Sequence, residues 1–177
     1  MEDPASGLEA GAASLAEELV SRLGSASRIL VLAESCTAGL TADLLARVPG
    51  ASAVLWGSYV CYTLESKLAM LGCNRRRLIR NGLVSRETAC DMAAAALEKS
   101  GADLAAAITG LAGPDGDGSG VPVGTVWVAA AGREKGLIKA DEFHFESGGE
   151  RVSRNKIRMQ AAVAALEILL EISGDIA

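Results

Sequence analysis

Leu8, Ala12, Leu15, Ala16, Leu19 and Leu23 recur at three- and four-residue spacing, the period of a helix with one buried face, and Gly24 follows as a stop. The period then changes. Residues 29–33 form a short apolar run rich in branched side chains, the habit of a buried strand. The run breaks into Glu34-Ser35-Cys36-Thr37-Ala38-Gly39, after which Leu40, Leu44 and Leu45 resume a helical face. This pattern predicts a strand over 28–33 and a helix over 36–47, closed by Pro49-Gly50. Residues 53–62 read as a second strand and 65–71 as a short helix stopped at Gly72. A helical turn is expected within 74–82. Ser85 is a good N-cap for a helix running to about residue 99. Residues 104–108 are a third buried strand that opens into a glycine-rich segment. Residues 124–131 and 137–145 form a predicted hairpin, and a long helix is expected from about 151 to 172.

Helices alternating with buried strands, and one hairpin, imply an α/β fold: a three-layer α/β/α sandwich around a mixed, mostly parallel sheet. The 177 residues carry no repeat and no linker, so a single domain spans 1–177 with its core at about 10–172. Half of the residues are hydrophobic, yet Trp, Tyr and Phe number only two each, so the core must be built from Ala, Val, Leu and Ile. The net charge of −5 argues against general nucleic-acid binding. Cys36, Cys61, Cys73 and Cys90 never fall into a Cys-x-x-Cys spacing and read as reduced thiols. With neither a signal peptide nor an apolar span long enough for a bilayer, the expected location is the cytoplasm and no membrane partner is expected.

Candidate chemistry concentrates where strands end. A buried strand feeding a helix leaves the first helical N–H groups without carbonyl partners, an arrangement that suits an anion or a developing oxyanion. Ser35 and Thr37 would then place hydroxyls in the crevice where open α/β sheets bind ligands, although two ordinary capping hydroxyls would look the same. Thr109-Gly110-Leu111-Ala112-Gly113 is set against the end of a buried strand and is expected to face a ligand; residues 115–120 read equally well as a surface loop. The stretch lacks the Gly-Lys-Ser/Thr of a P-loop, and its glycines are wrongly spaced for a dinucleotide fingerprint. Val126 stands where a calcium loop needs a bidentate Glu. Lys67, just after the second strand, is either a solvated first-turn lysine or, if buried, a base for a serine.

The single histidine, His144, alternates with Phe143 and Phe145 in a predicted strand, so a Ser-His-Asp triad has little to build on. No His-Glu-x-x-His and no His/Cys cluster is present, and no metal or cofactor is expected. Serine chemistry would therefore need another activator, and Ser–Lys arrangements recur on unrelated folds. The basic run Arg75-Arg76-Arg77-Leu78-Ile79-Arg80 reads as a solvated helix face in an acidic chain. Arg154 and Arg158, four apart and near Arg151, Lys156 and Gly148-Gly149, share a helix face that could hold a phosphate or simply carry surface charge.

Taken together these segments resemble the C-terminal domain family of the competence-damage protein CinA, whose stand-alone members act as nicotinamide-nucleotide amidases. Ala33-Glu34-Ser35-Cys36-Thr37-Ala38-Gly39 is similar to the family's Ala-Glu-Ser-Cys-Thr-Gly-Gly. Thr109-Gly110-Leu111-Ala112-Gly113-Pro114-Asp115-Gly116, with Pro122-Val123-Gly124-Thr125-Val126, resembles its Gly-Ile-Ala-Gly-Pro and Pro-Val-Gly-Thr-Val segments. Residues 62–67 resemble Tyr-Ser-Asn-x-x-Lys, and Gly82-Leu83-Val84-Ser85 resembles Gly-Ala-Val-Ser. The likeness runs from about residue 10 to 172.

The resemblance implies hydrolysis of the carboxamide of nicotinamide mononucleotide to nicotinate mononucleotide and ammonia, without a metal. It implies Ser35 as nucleophile, with Lys67 and Tyr62 activating it or shuttling its proton. Backbone near Cys36, Thr37 and Gly39, or at Thr109 and Gly110, would hold the oxyanion and substrate together with Gly113, and Arg154 would pair with the phosphate. The chain departs from the pattern at Ala38, at Thr63-Leu64 in place of Ser-Asn, and at Val152-Ser153-Arg154 in place of Gly-Asp-Arg. Those departures motivate an alternative: a nucleotide-binding or competence-related regulatory module without catalysis. The expected partners are a small nucleotide and further copies of the chain as a homo-oligomer. The pyrophosphatase domain of longer relatives is expected to be absent.

Overall fold

A computed structural model of the chain describes residues 4–134, 136–145 and 154–174. Its centre is a five-stranded sheet in the order β2-β1-β3-β4-β5, built from β1 (Leu30–Glu34), β2 (Leu55–Val60), β3 (Leu104–Gly110), β4 (Thr125–Gly132) and β5 (Gly136–His144). β1 pairs in parallel with β2 and β3, and β4 pairs antiparallel with both β3 and β5. Only β4 therefore opposes the common strand direction. The helices are α1 (Pro4–Ser25), α2 (Leu40–Ala46), α3 (Leu64–Ser66), α4 (Arg75–Asn81), α5 (Arg86–Ser100) and α6 (Arg154–Ser173). A 3-10 turn at Ala51–Ala53 precedes β2, and a π turn at Lys67–Leu71 continues α3.

Alternation along the strands divides the core in two. Leu30, Leu32, Leu104, Ala106, Ile108, Val126 and Val128 pack with α1, α2 and α6 on one face. Val31, Ala33, Ala105, Ala107 and Ala129 meet Ala89, Met92, Ala93 and Ala96 of α5 on the other. Alanine facing alanine lets α5 lie close against β1 and β3, which is how a core with few aromatic residues fills its volume.

The predicted element types are all present, with shifted ends. The helix expected from residue 36 starts only at Leu40. Ala38 has φ +52° and Gly39 φ +92°, left-handed values that no right-handed helix can include, so residues 35–39 are a turn instead. The second strand is trimmed to Leu55–Val60, with a bulge where the β1 register shifts between Leu30 and Val31. The helix expected at 65–71 is one α turn and one π turn. Thr63 caps it, its hydroxyl accepting from Ser66 N while Ser66 Oγ accepts from Thr63 N. The last helix begins at Arg154; Arg151, Gly148 and Gly149 lie outside the described residues.

Candidate active site

β1 lies between β2 and β3, and the chain leaves it toward the α2 face while returning from β2 to β3 over the α5 face. Its C-terminal end is thus the crevice at which open α/β sheets present a site. Alternation puts Glu34 on the α2 side of that end and Ser35 on the α5 side. Ser35 N donates to Ile108 O (2.9 Å), which fixes the first residue of the turn against β3.

Lys67 arrives from the segment after β2. It is among the largest fully buried side chains of the protein, at 1% exposure. Its Nζ donates to Cys61 O (2.7 Å) and to Ser35 Oγ (3.0 Å). Burial lowers the pKa of the ammonium from its ordinary value; the neighbouring thiols Cys61, Cys73 and Cys36 act in the opposite sense. A lysine in this setting sheds its proton more readily than one in water, and its lone pair then has Ser35 as its hydrogen-bond donor. The π turn is what turns Lys67 and Leu71 inward together, a widened turn of the kind that recurs at functional positions.

The N-terminus of α2 is not open to a ligand, contrary to the expectation from the strand-to-helix pattern. The fully buried carboxylate of Glu34 accepts from Gly39 N (3.0 Å), Thr41 N (3.1 Å), Ala42 N (3.1 Å) and Ser58 Oγ (2.9 Å). The chain's own anion satisfies the helix start. Oxyanion donors must come from elsewhere, and β3 offers one. Ile108 turns its carbonyl toward β1, so the Gly110 N–H, two residues on, points to the same side, beyond the last β1–β3 pair and toward the Ser35 turn.

The other sequence-predicted residues fall into two groups. Arg154, at the start of α6, donates to Gly113 O (2.5 Å) and to the Tyr62 hydroxyl. Both acceptors are neutral and Tyr62 is 49% exposed, so a guanidinium, a phenol and a loop carbonyl meet at the surface rim of the crevice. The Tyr62 hydroxyl is therefore engaged by Arg154, not by Lys67 or Ser35. Cys36 and Thr37 are buried. The Cys36 thiol is pushed up to about 12, chiefly by desolvation, and Thr37 Oγ1 has no hydrogen-bond partner among the described residues. Thr109 Oγ1 is spent on Leu83 O (2.7 Å), tying β3 to the segment before α5. A Cβ on Gly110 would stand 2.6 Å from Val126 Cγ2, and one on Gly113 2.6 Å from Val123 Cγ1, so both glycines answer to packing.

Two residues outside the expected set hold the turn. Glu34 is one. Arg158 is the other: it donates through Nε to Cys36 O (3.2 Å) and through Nη2 to Thr37 O (2.8 Å). A carboxylate just before a helix start was the available signal for Glu34; Arg158 was visible only as a phosphate candidate.

The family model of the CinA C-terminal domain matches residues 12–173. The chain belongs to the CinA C-terminal domain family. It is 39% identical over 147 residues to a CinA-like protein of Syntrophomonas wolfei, covering 83% of this chain and 34% of that one. It is 40% identical over 157 residues to a putative competence-damage inducible protein of Lacticaseibacillus casei, covering 89% and 36%. The chain thus spans about a third of the length of these curated relatives. Among solved structures, the competence/damage inducible protein CihA from Agrobacterium tumefaciens superposes with TM-score 0.84 at 35% identity, covering 91% of this chain and 94% of that chain.

Within this CinA domain the departures from the motif acquire physical readings. Ala38 stands in a left-handed conformation that glycine adopts without strain. Leu64 packs against the α5-side core, so the apolar replacement is a packing residue. The basic run on α4 is a solvated face: Arg75 pairs with Glu65 (2.8 Å) and Arg77 with Asp91 (2.7 Å).

Proposed function

We propose that this CinA domain is a serine amidase that deamidates nicotinamide mononucleotide. The observation that carries the reading is the 3.0 Å approach of Lys67 Nζ to Ser35 Oγ, with the amine buried and its pKa lowered. In its neutral form Lys67 directs one N–H to Cys61 O and takes the Ser35 proton on its lone pair. Ser35 Oγ then adds to the carboxamide carbon. The Gly110 N–H, directed toward the Ser35 turn, is the donor this reading assigns to the developing oxyanion; the N–H groups of Cys36 and Thr37 face the Cys36 thiol instead. Lys67 returns the proton to the departing nitrogen, the C–N bond breaks and ammonia leaves an acyl-serine. Water, deprotonated by Lys67, releases nicotinate mononucleotide and restores Ser35.

Arg154 supplies the anion end, exchanging the Gly113 carbonyl for the 5′-phosphate while its bond to the Tyr62 hydroxyl keeps the guanidinium oriented. The free thiols fit a reducing cytoplasm, and among the described residues no helix is long and apolar enough to cross a membrane. The test is ammonia release from nicotinamide mononucleotide, beside a Ser35→Ala control. The reading expects release that disappears in the variant, a loss on the order of 10⁴-fold or more. Turnover of the variant at the parent rate would overturn it. Saturable binding without turnover in the parent would support the regulatory-module alternative.

A further inference from the structure

The turn that presents Ser35 is held by two side chains of opposite charge that the proposed chemistry does not use. The Glu34 carboxylate collects the N–H groups where the turn enters α2, at Gly39, Thr41 and Ala42; the carbonyls of the turn at Cys36 and Thr37 are collected by the Arg158 guanidinium. Ser58 Oγ links the same carboxylate to β2, the strand that leads to Lys67, and Arg158 links the turn to α6, which also carries Arg154. Ser35 N is tied to Ile108 O, but the rest of the turn, residues 36–39, belongs to no regular element and includes two left-handed residues. Beyond its own local turn bonds it is therefore held by side chains rather than by a strand or helix ladder.

We infer that Glu34 and Arg158 form a clamp whose role is to hold Ser35 Oγ against Lys67 Nζ. This rests on the reading of Ser35 as the nucleophile. The four donors around Glu34 are all matched by carboxylate lone pairs; glutamine there would set an NH₂ donor against a donor. Lysine in place of Arg158 keeps the charge and reaches one carbonyl at most, since it lacks the planar fork. Both are positioning residues, because neither meets the reacting atoms.

The experiment measures phosphonylation of Ser35 by a fluorophosphonate, followed by intact mass. Ser35 Oγ bonds to phosphorus, fluoride leaves, and the serine proton passes to Lys67, so the reaction needs no nucleotide. Glu34→Gln and Arg158→Gln are expected to slow labelling by about 100-fold, the scale of a misplacement near 1 Å. Arg158→Lys should lie between Arg158→Gln and the parent. In parallel, kcat for nicotinamide mononucleotide should fall by the same factor while KM holds. If Glu34→Gln does not fold, Ser58→Ala, which removes one donor from the carboxylate, should still slow labelling measurably. Labelling at the parent rate in folded Arg158→Gln and Ser58→Ala would overturn the clamp even if the parent deamidates the nucleotide. Slowed labelling in a protein whose parent never deamidates it supports the clamp and overturns the amidase reading. A parent whose Ser35 takes no label overturns both.

Discussion

Lys67 and Arg154 are two cations of the candidate site, and they sit in opposite surroundings. Lys67 is sealed beneath the crevice, bonded to one carbonyl and one hydroxyl, with its pKa lowered. Arg154 is partly buried at the rim, bonded to a loop carbonyl and an exposed phenol. Burial can strip a lysine of its proton, whereas a guanidinium keeps its charge in any protein environment. The buried cation is thus suited to carry a proton, and the rim cation to hold an anion. In the proposed reading, depth in the crevice rather than charge alone separates chemistry from recognition.

The strongest way to break this contrast is at its deep end. Lys67→Met should lower kcat by about a thousandfold or more while nucleotide binding, measured by calorimetry, survives. At the rim, Arg154→Gln should raise KM for nicotinamide mononucleotide by roughly 10- to 100-fold, the range of a lost charge-assisted bond, with kcat changed little. Nicotinamide riboside, which lacks the phosphate, should not feel that substitution. If both substrates suffer equally, Arg154 is not the anion end.

The pH dependence sharpens the same contrast. The rising limb of kcat/KM should have its midpoint below the ordinary lysine value of 10.5, because the active amine is the neutral one. Stability follows by linkage. Between the lowered folded pKa and 10.5 the unfolded chain binds the extra proton, so parent stability climbs with pH across that window. Lys67→Met should therefore be the more stable protein near neutrality, by an increment that shrinks as the pH rises from the lowered folded pKa toward 10.5 and stays level above it; denaturant melts at several pH values measure this. The smallest expected effect is local. Ala38→Gly relieves a left-handed alanine and should stabilise the protein by roughly 0.5–1 kcal/mol in urea melts.

What was legible in the chain follows the range of the forces involved. The buried strands announced themselves, since 30–33 and 104–108 have water on neither face and so read as continuous apolar runs. Ser85 and Asn74 cap their helices through local bonds, which spacing captures; only Ser85 was anticipated. The left-handed pair Ala38-Gly39 was hidden because an alanine carries no mark of positive φ, and the helix was started too early. The deep end of the site was half visible. Ser35 and Lys67 lie in recognisable segments, but only the fold brings them within 3.0 Å. The braces were the least visible: Arg158 reaches across the whole chain to carbonyls at 36 and 37, and backbone acceptors have no identity in a sequence.

Cys36 follows the proposed nucleophile directly, and in most proteins it would be the more reactive of the two. Its thiol is sealed from solvent and resists ionisation up to about pH 12, so at physiological pH it is an inert spacer filling the α2-side core. The neighbourhood thus inverts the usual ranking of hydroxyl and thiol. Peroxide and electrophilic metabolites, which disarm hydrolases built on a thiolate, find no thiolate at this turn. On the proposed reading, the reacting atom is a serine oxygen, whose oxidation state peroxide does not change, so the expected amidase activity should outlast a peroxide exposure that silences thiolate hydrolases.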